Sequence, residues 1–181
     1  MAIDYPFTGD EAKAAHKEWG CNCGPAALAF ALQKPLSAVR YAIPNFAERH
    51  YTSPTMMRAA LEYFCQRFLA IKVDRRDAGV PQMFAGPMTL VRIQWSGPWI
   101  VDGKPQRWAG RQTHWIACWS DARDVWDCGR HLVFDVNDGM RTFGSWELEI
   151  VPLIVASIKR ADGHWYPANI WRLTKSDELN K

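Results

Sequence analysis

The chain has 181 residues, 48% of them hydrophobic and 23% charged, with a net charge of +3. That is the size and composition of one globular domain, expected to span residues 1–181 and able to bury a core without disulfide or metal support. The charge is too small and too dispersed for a nucleic-acid binder, and its densest basic group (Lys72, Arg75, Arg76) is flanked by Asp74 and Asp77. No run approaches the roughly 18 apolar residues of a membrane span. The opening MAIDYPFTGDEAK has neither the basic start nor the apolar stretch of a secretion signal, so the expected location is the reducing cytoplasm.

In chain order, residues 10–18 predict a short helix or turn. GCNCGPAALAFALQKP follows. Pro25 suits the first turn of a helix, Ala26 through Gln33 are mostly strong helix formers, and Pro35 stops the run. The helix is apolar nearly all round and therefore central, and it places Cys23 at its N-terminus. LSAVRYA (36–42) predicts a short second helix. Ser53 then reads as an N-cap with Pro54 in the first turn of a helix through MMRAALEYFCQRF. From Phe68 the pattern turns to strands: FLAIKV, MTLVRIQW, THWIACW and HLVFDV, separated by Gly, Pro and Asp clusters. Residues 96–112 contain two Gly turns and predict a hairpin or loop. Residues 145–159 have helical spacing interrupted by Pro152, and HWYPANIWRL predicts a closing strand. Helices first and an antiparallel sheet after make the fold class α+β.

The chemistry centres on cysteine. Five cysteines, an odd number without the spacing of a disulfide scaffold, leave at least one free thiol. A thiol reacts as its anion, and its ordinary pKa of ~8.5 is lowered by a helix N-terminus and by a neighbouring histidine. Cys23 has the first device, and Gly24 after it permits close approach of a substrate backbone. His114, opening an apolar strand, is the candidate for the second. Asp135, on the following strand, is the candidate that orients the imidazole. The order Cys, His, Asp fits a nucleophile–base–orienter triad, a grouping defined by geometry rather than by spacing.

These pieces carry a resemblance. NCGPAALAFAL resembles the nucleophile motif of papain-like cysteine peptidases, in particular the C39-like peptidase group. THWIACW resembles that family's catalytic-histidine strand, VFDVNDG its strand ending in the orienting Asp, and TSPTMMRAALE its second helix. The resemblance spans about residues 18–140. It implies a papain-like arrangement, with N-terminal helices, the central one bearing the cysteine, packed on a C-terminal antiparallel sheet. It also implies a thiol peptidase or isopeptidase acting on a peptide or protein, without cofactor, through Cys23, His114 and Asp135. The family commonly has a Gln about six residues before the nucleophile as oxyanion donor. Lys17 stands there in this chain, and no Gln precedes Cys23. Asn22, Lys17 and the Trp19 indole are the substitutes considered, beside the Cys23 backbone N–H. Trp115 and Ser53 are considered for the substrate groove.

Alternatives stand beside each assignment. Cys21 reads as structural or as a redox accessory. A Cys21–Cys23 metal site with His16 lacks a fourth ligand at suitable spacing, so no metal is expected. His131 and His164 are rival bases and read as surface residues. Asn137 shares a strand face with Asp135 and rivals it. Trp115 and Trp119 suit the core as well as a clamp. The same triad serves an acyltransferase, and a catalytically weak scaffold that binds or inhibits a partner fits the missing Gln.

Overall fold

The computed structural model describes residues 5–73, 80–101, 104–105, 112–121 and 129–174. The fold is α+β, with helices in the first half and an antiparallel sheet in the second.

Helix α1 (Gly9–Trp19) begins with a capping box: Thr8 Oγ1 accepts from the Glu11 N–H, and the Glu11 carboxylate accepts from the Thr8 N–H. Two orphan donors of the first turn are thereby satisfied. Helix α2 (Cys23–Leu32) ends at Gln33 in the left-handed region, φ 52°. Gly24 through Phe30 are all buried, as an all-round apolar helix requires. Helix α3 (Leu36–Ala42) lies where the sequence predicts it, and α5 (Pro54–Tyr63) starts as predicted, capped by Ser53 Oγ on the Met56 N–H, but ends at Tyr63 rather than running on to Phe68, with Cys65 in the left-handed region at φ 52°. A short α4 (Phe46–Arg49), not predicted, lies between them and buries Phe46.

The strands are β1 (Phe68–Ile71), β2 (Met88–Trp95), β3 (Ile100–Val101), β4 (Lys104–Pro105), β5 (Thr113–Ser120), β6 (His131–Asp135), β7 (Gly139–Thr142) and β8 (Trp165–Leu173). Six of them form one antiparallel sheet in the order β1-β8-β2-β5-β6-β7. β3 and β4 form a separate hairpin inside the predicted 96–112 segment. β7 was not predicted; its GMRT carries no alternation of apolar and polar residues.

Each sheet face has its own core. On one face Leu90, Trp115, Ala117, Phe134 and Trp171 pack against α1, α2, α3 and α5. On the other, Val91, Ile93, Trp95, Ile116, Cys118, Val133 and Ile170 pack against a 3-10 turn (Pro81–Phe84) and the C-terminal helical segment. That segment comprises α6 (Phe143–Ser145), a π turn (Trp146–Ile150) and α7 (Val151–Ser157). Pro152 does interrupt the helix. The Val151 N–H bonds to the Trp146 carbonyl five residues back, and the register change falls where Pro152 has no N–H to donate. Most strand residues are apolar because both faces are covered.

Candidate functional site

The site forms where the sheet opens. β5 and β6 pair from Ala117↔Phe134 to Ser120↔His131 and no further. β5 continues to Thr113 with β2 as its partner on the other side. The N-terminus of α2 docks at this unpaired stretch, and the Trp115 backbone N–H points at the Cys23 sulfur, favouring its anion. Two further contacts fix α2 here. The Trp115 indole N–H donates to the Thr52 carbonyl at 2.8 Å. A Cβ on Gly24 would lie 2.2 Å from Thr52 Oγ1, so only glycine lets the 52–53 turn approach this closely.

His114 lies opposite Ile93, on the face of the sheet that carries Trp95 and Trp146. It is 8% exposed, and Asp135 is fully buried. His114 Nε2 donates to Asp135 Oδ1 at 3.0 Å. Nε2 is thereby fixed as the protonated nitrogen, and Nδ1 is left as the position that exchanges a proton. Asn137, the rival orienter, supports Asp135 instead: its backbone N–H and side-chain amide donate to the same Oδ1, at 3.0 and 2.9 Å. Trp146 Nε1 donates to Oδ2 at 3.0 Å. Trp146 is a site residue that sequence reasoning missed. Its indole is 11 residues downstream, and nothing local in the sequence marks it as a partner of Asp135.

The electrostatics follow from this geometry. Burial opposes the charge on His114, but the charge of Asp135 and its hydrogen bond prevail, and the imidazole pKa is raised. Burial likewise opposes the charge on Asp135, while His114, the Asn137 N–H and the Trp146 indole hold its pKa low. The signs give a stability window. The contribution of His114 is complete below its unfolded pKa, about 6.5, and is lost as pH rises through the higher folded value. The contribution of Asp135 is complete above its unfolded pKa, about 3.9, and is lost as pH falls through the lower folded value. The pair therefore stabilises the fold most between about pH 4 and 6.5. Thermal melts across pH should show the excess stability of the wild type over His114→Gln shrinking above that window. A difference that stays constant to pH 10 would contradict the pairing.

The two cysteines form one unit. Cys21 Sγ and Cys23 Sγ are 3.8 Å apart. Cys21 accepts the Cys23 S–H and backbone N–H and feels the charges of His114 and His16, against the cost of burial. Its pKa falls to about 6. The Cys23 thiol is held up by that same S–H bond, by burial and by the Cys21 charge. The pair thus loses its first proton easily and its second with difficulty, as two close anions must. The sequence expectation lowered the pKa of Cys23 alone. The structure reverses this: the lowered pKa belongs to Cys21, and that of Cys23 is raised, so Cys21 carries the anion of the pair.

The other considered residues are placed as follows. Asn22 is buried, and its amide donates to the Ala12 carbonyl at 2.8 Å, tying α2 to α1. Lys17 is exposed on α1. The Trp19 indole N–H is buried with no acceptor among the described residues; its ring packs edge-on to Phe46 and beneath Arg40. Trp115 is 2% exposed and belongs to the helix-side core rather than to an open groove. Ser53 caps α5. His131 bonds to Ser120 and stacks on Phe84, and His164 is exposed in the turn after Asp162. Cys118 is buried, and burial raises its thiol pKa. Cys128 lies outside the described residues.

Among the described residues no cluster of three or more His, Cys, Asp or Glu could hold a metal ion, and no helix is long and apolar enough to cross a membrane. The imidazole, held by a buried carboxylate, lies within electrostatic reach of the Cys21 sulfur, an arrangement that favours a thiolate on the pair. Compared with protein-family models the chain matches none, and it matches no curated protein.

Proposed function

We propose that this chain is a cysteine-dependent acyl hydrolase on a papain-like scaffold of the C39-like kind, acting on a peptide or isopeptide bond. The observation that carries the reading is the His114–Asp135 bond of 3.0 Å at a buried site where the sheet opens onto the N-terminus of α2. In this mechanism Cys23 attacks the scissile carbonyl. His114 takes the thiol proton at Nδ1 and delivers it to the leaving amine. Asp135, held by Asn137 and Trp146, fixes the ring and stabilises the imidazolium. Water activated by the same histidine then releases the acid. Cys21 holds the negative charge of the pair before attack.

A second reading, a scaffold that binds or inhibits a partner without turnover, draws on the position of Asn22. Its amide is engaged with Ala12, and no Gln precedes Cys23 to serve as oxyanion donor. Loss of one such donor typically costs about 10²–10³ in rate.

Alkylation with iodoacetamide across pH, read for each cysteine by mass spectrometry, separates the two. The hydrolase reading expects the Cys21–Cys23 pair to lose its first proton and react well below pH ~8.5, faster than exposed Cys65, and His114→Ala to slow it. If the pair reacts no faster than Cys65, the thiol is unprimed and the binding reading takes its place.

A further inference from the structure

Arg92 is a cation without a described counter-ion beside the nucleophile. It lies on β2 opposite Trp115, whose backbone N–H reaches the Cys23 sulfur. It is partly buried, and its Nε is fully enclosed with no hydrogen-bond acceptor among the described residues. No Asp or Glu among the described residues lies within ion-pair distance of it; the described pairs are all elsewhere. The backbone at this point is irregular. Arg92 stands opposite Asn169 of β8 but Ile93 stands opposite Pro167, so Ala168 is extra and the ladder is broken beside a proline that has no N–H to give. Bulges of this kind re-aim a side chain next to a functional site. Burial penalises the charge on Arg92, and Cys23 and Tyr166 are the groups that offset it. A partly buried guanidinium that lacks a described carboxylate is stabilised by any anion that reaches it, most of all by a planar carboxylate that can accept two N–H donors.

We propose that Arg92 is a substrate-recognition residue that binds a carboxylate carried by the acyl substrate close to the scissile carbonyl, either a chain-terminal carboxylate or an acidic side chain. The proposal rests on the reading of Cys23 as nucleophile. It makes the enzyme selective for anionic substrates, a property that the net charge of +3 does not reveal because the recognising charge is a single partly buried residue.

Two small alkylating agents that differ in one group test it on the full chain: iodoacetate, which carries a carboxylate, and iodoacetamide, which does not. Fragment-ion mass spectrometry separates modification at Cys23 from that at Cys21. Arg92→Gln should lower the ratio of the iodoacetate rate to the iodoacetamide rate at Cys23 about tenfold, as expected for loss of a hydrogen bond to a charged group. Arg92→Lys should fall between, keeping the charge without the fork. Equal slowing with both agents would mean that Arg92 acts on the thiolate alone, and no slowing would mean that it does not reach the site; either result overturns the proposal. If the variants fail to fold, the wild type decides. N-acetylglycine should slow its alkylation by iodoacetamide while N-acetylglycinamide does not, and equal effects overturn the proposal. A Cys23 that is primed toward iodoacetamide but indifferent to the carboxylate removes only this inference. A Cys23 that is not primed removes the hydrolase reading itself.

Discussion

Asp135→Asn should lower kcat for thiol-dependent hydrolysis about 10⁴-fold, the magnitude seen when the orienting carboxylate of a nucleophile–histidine–acid triad becomes an amide. The reason lies in the donors around it. Asp135 Oδ1 receives His114 Nε2 and both Asn137 groups, and Oδ2 receives the Trp146 indole. A carboxylate can accept all of these, but an amide can accept on one side only. If its NH₂ faces Trp146, two donors oppose each other in a buried site. If it faces His114, the ring must turn to its other tautomer and Nδ1 can no longer act as base. The same conflict destabilises the fold by about 1–3 kcal/mol. Steady-state kinetics on protein with native circular dichroism gives the answer, and a rate within tenfold of wild type would remove Asp135 from the mechanism.

Trp115→Ala should destabilise the protein by about 3–5 kcal/mol, the usual range for an aromatic-to-alanine change in a core. Trp115 is 2% exposed and packs on Trp171 with ring centroids 5.5 Å apart. For a chain of this size each kcal/mol lowers Tm by about 2–4 °C. Trp115→Phe separates the two roles. It keeps much of the packing but orphans the Thr52 carbonyl, so it should lose about 1–3 kcal/mol. It should also loosen the 52–53 turn against Gly24 and with it the seat of Cys23. A calorimetric scan of both variants distinguishes these outcomes. If Trp115→Ala melts within 2 °C of wild type, the indole is not a core residue.

The legible parts of the fold were those specified by neighbouring residues. The Ser53-Pro54 start of α5, the Pro25 and Pro35 limits around α2 and the apolar runs of β2, β5 and β8 all act within a few residues, so the sequence exposes them. α4 is a single turn that follows burial of Phe46, and no periodicity announces four residues. β7 exists because β6 offers it an edge. For the site, Cys23, His114 and Asp135 could be named from helix-start and strand signals joined to the family resemblance, and the His114–Asp135 contact agrees with that pairing. Trp146 and Arg92 could not be named. The first reaches Asp135 across β7 and α6, and the second gains its meaning from lacking a partner among the described residues, which no sequence displays. Cys21 was visible as a residue but not as a participant, because its role depends on a 3.8 Å approach to Cys23.

The strand order carries a consequence for how the chain is made. β8 is the last of the described strands in sequence, yet it lies between β1 and β2, pairing Phe68 with Leu173 and Trp95 with Trp165. During synthesis β1 and β2 must wait with open edges until residues 165–173 leave the ribosome. Pairings this distant in sequence slow folding, and waiting edges invite association between chains. A chain ending before Trp165 should therefore accumulate as aggregate rather than as a smaller folded domain, and the Arg92 side of the cleft is completed last.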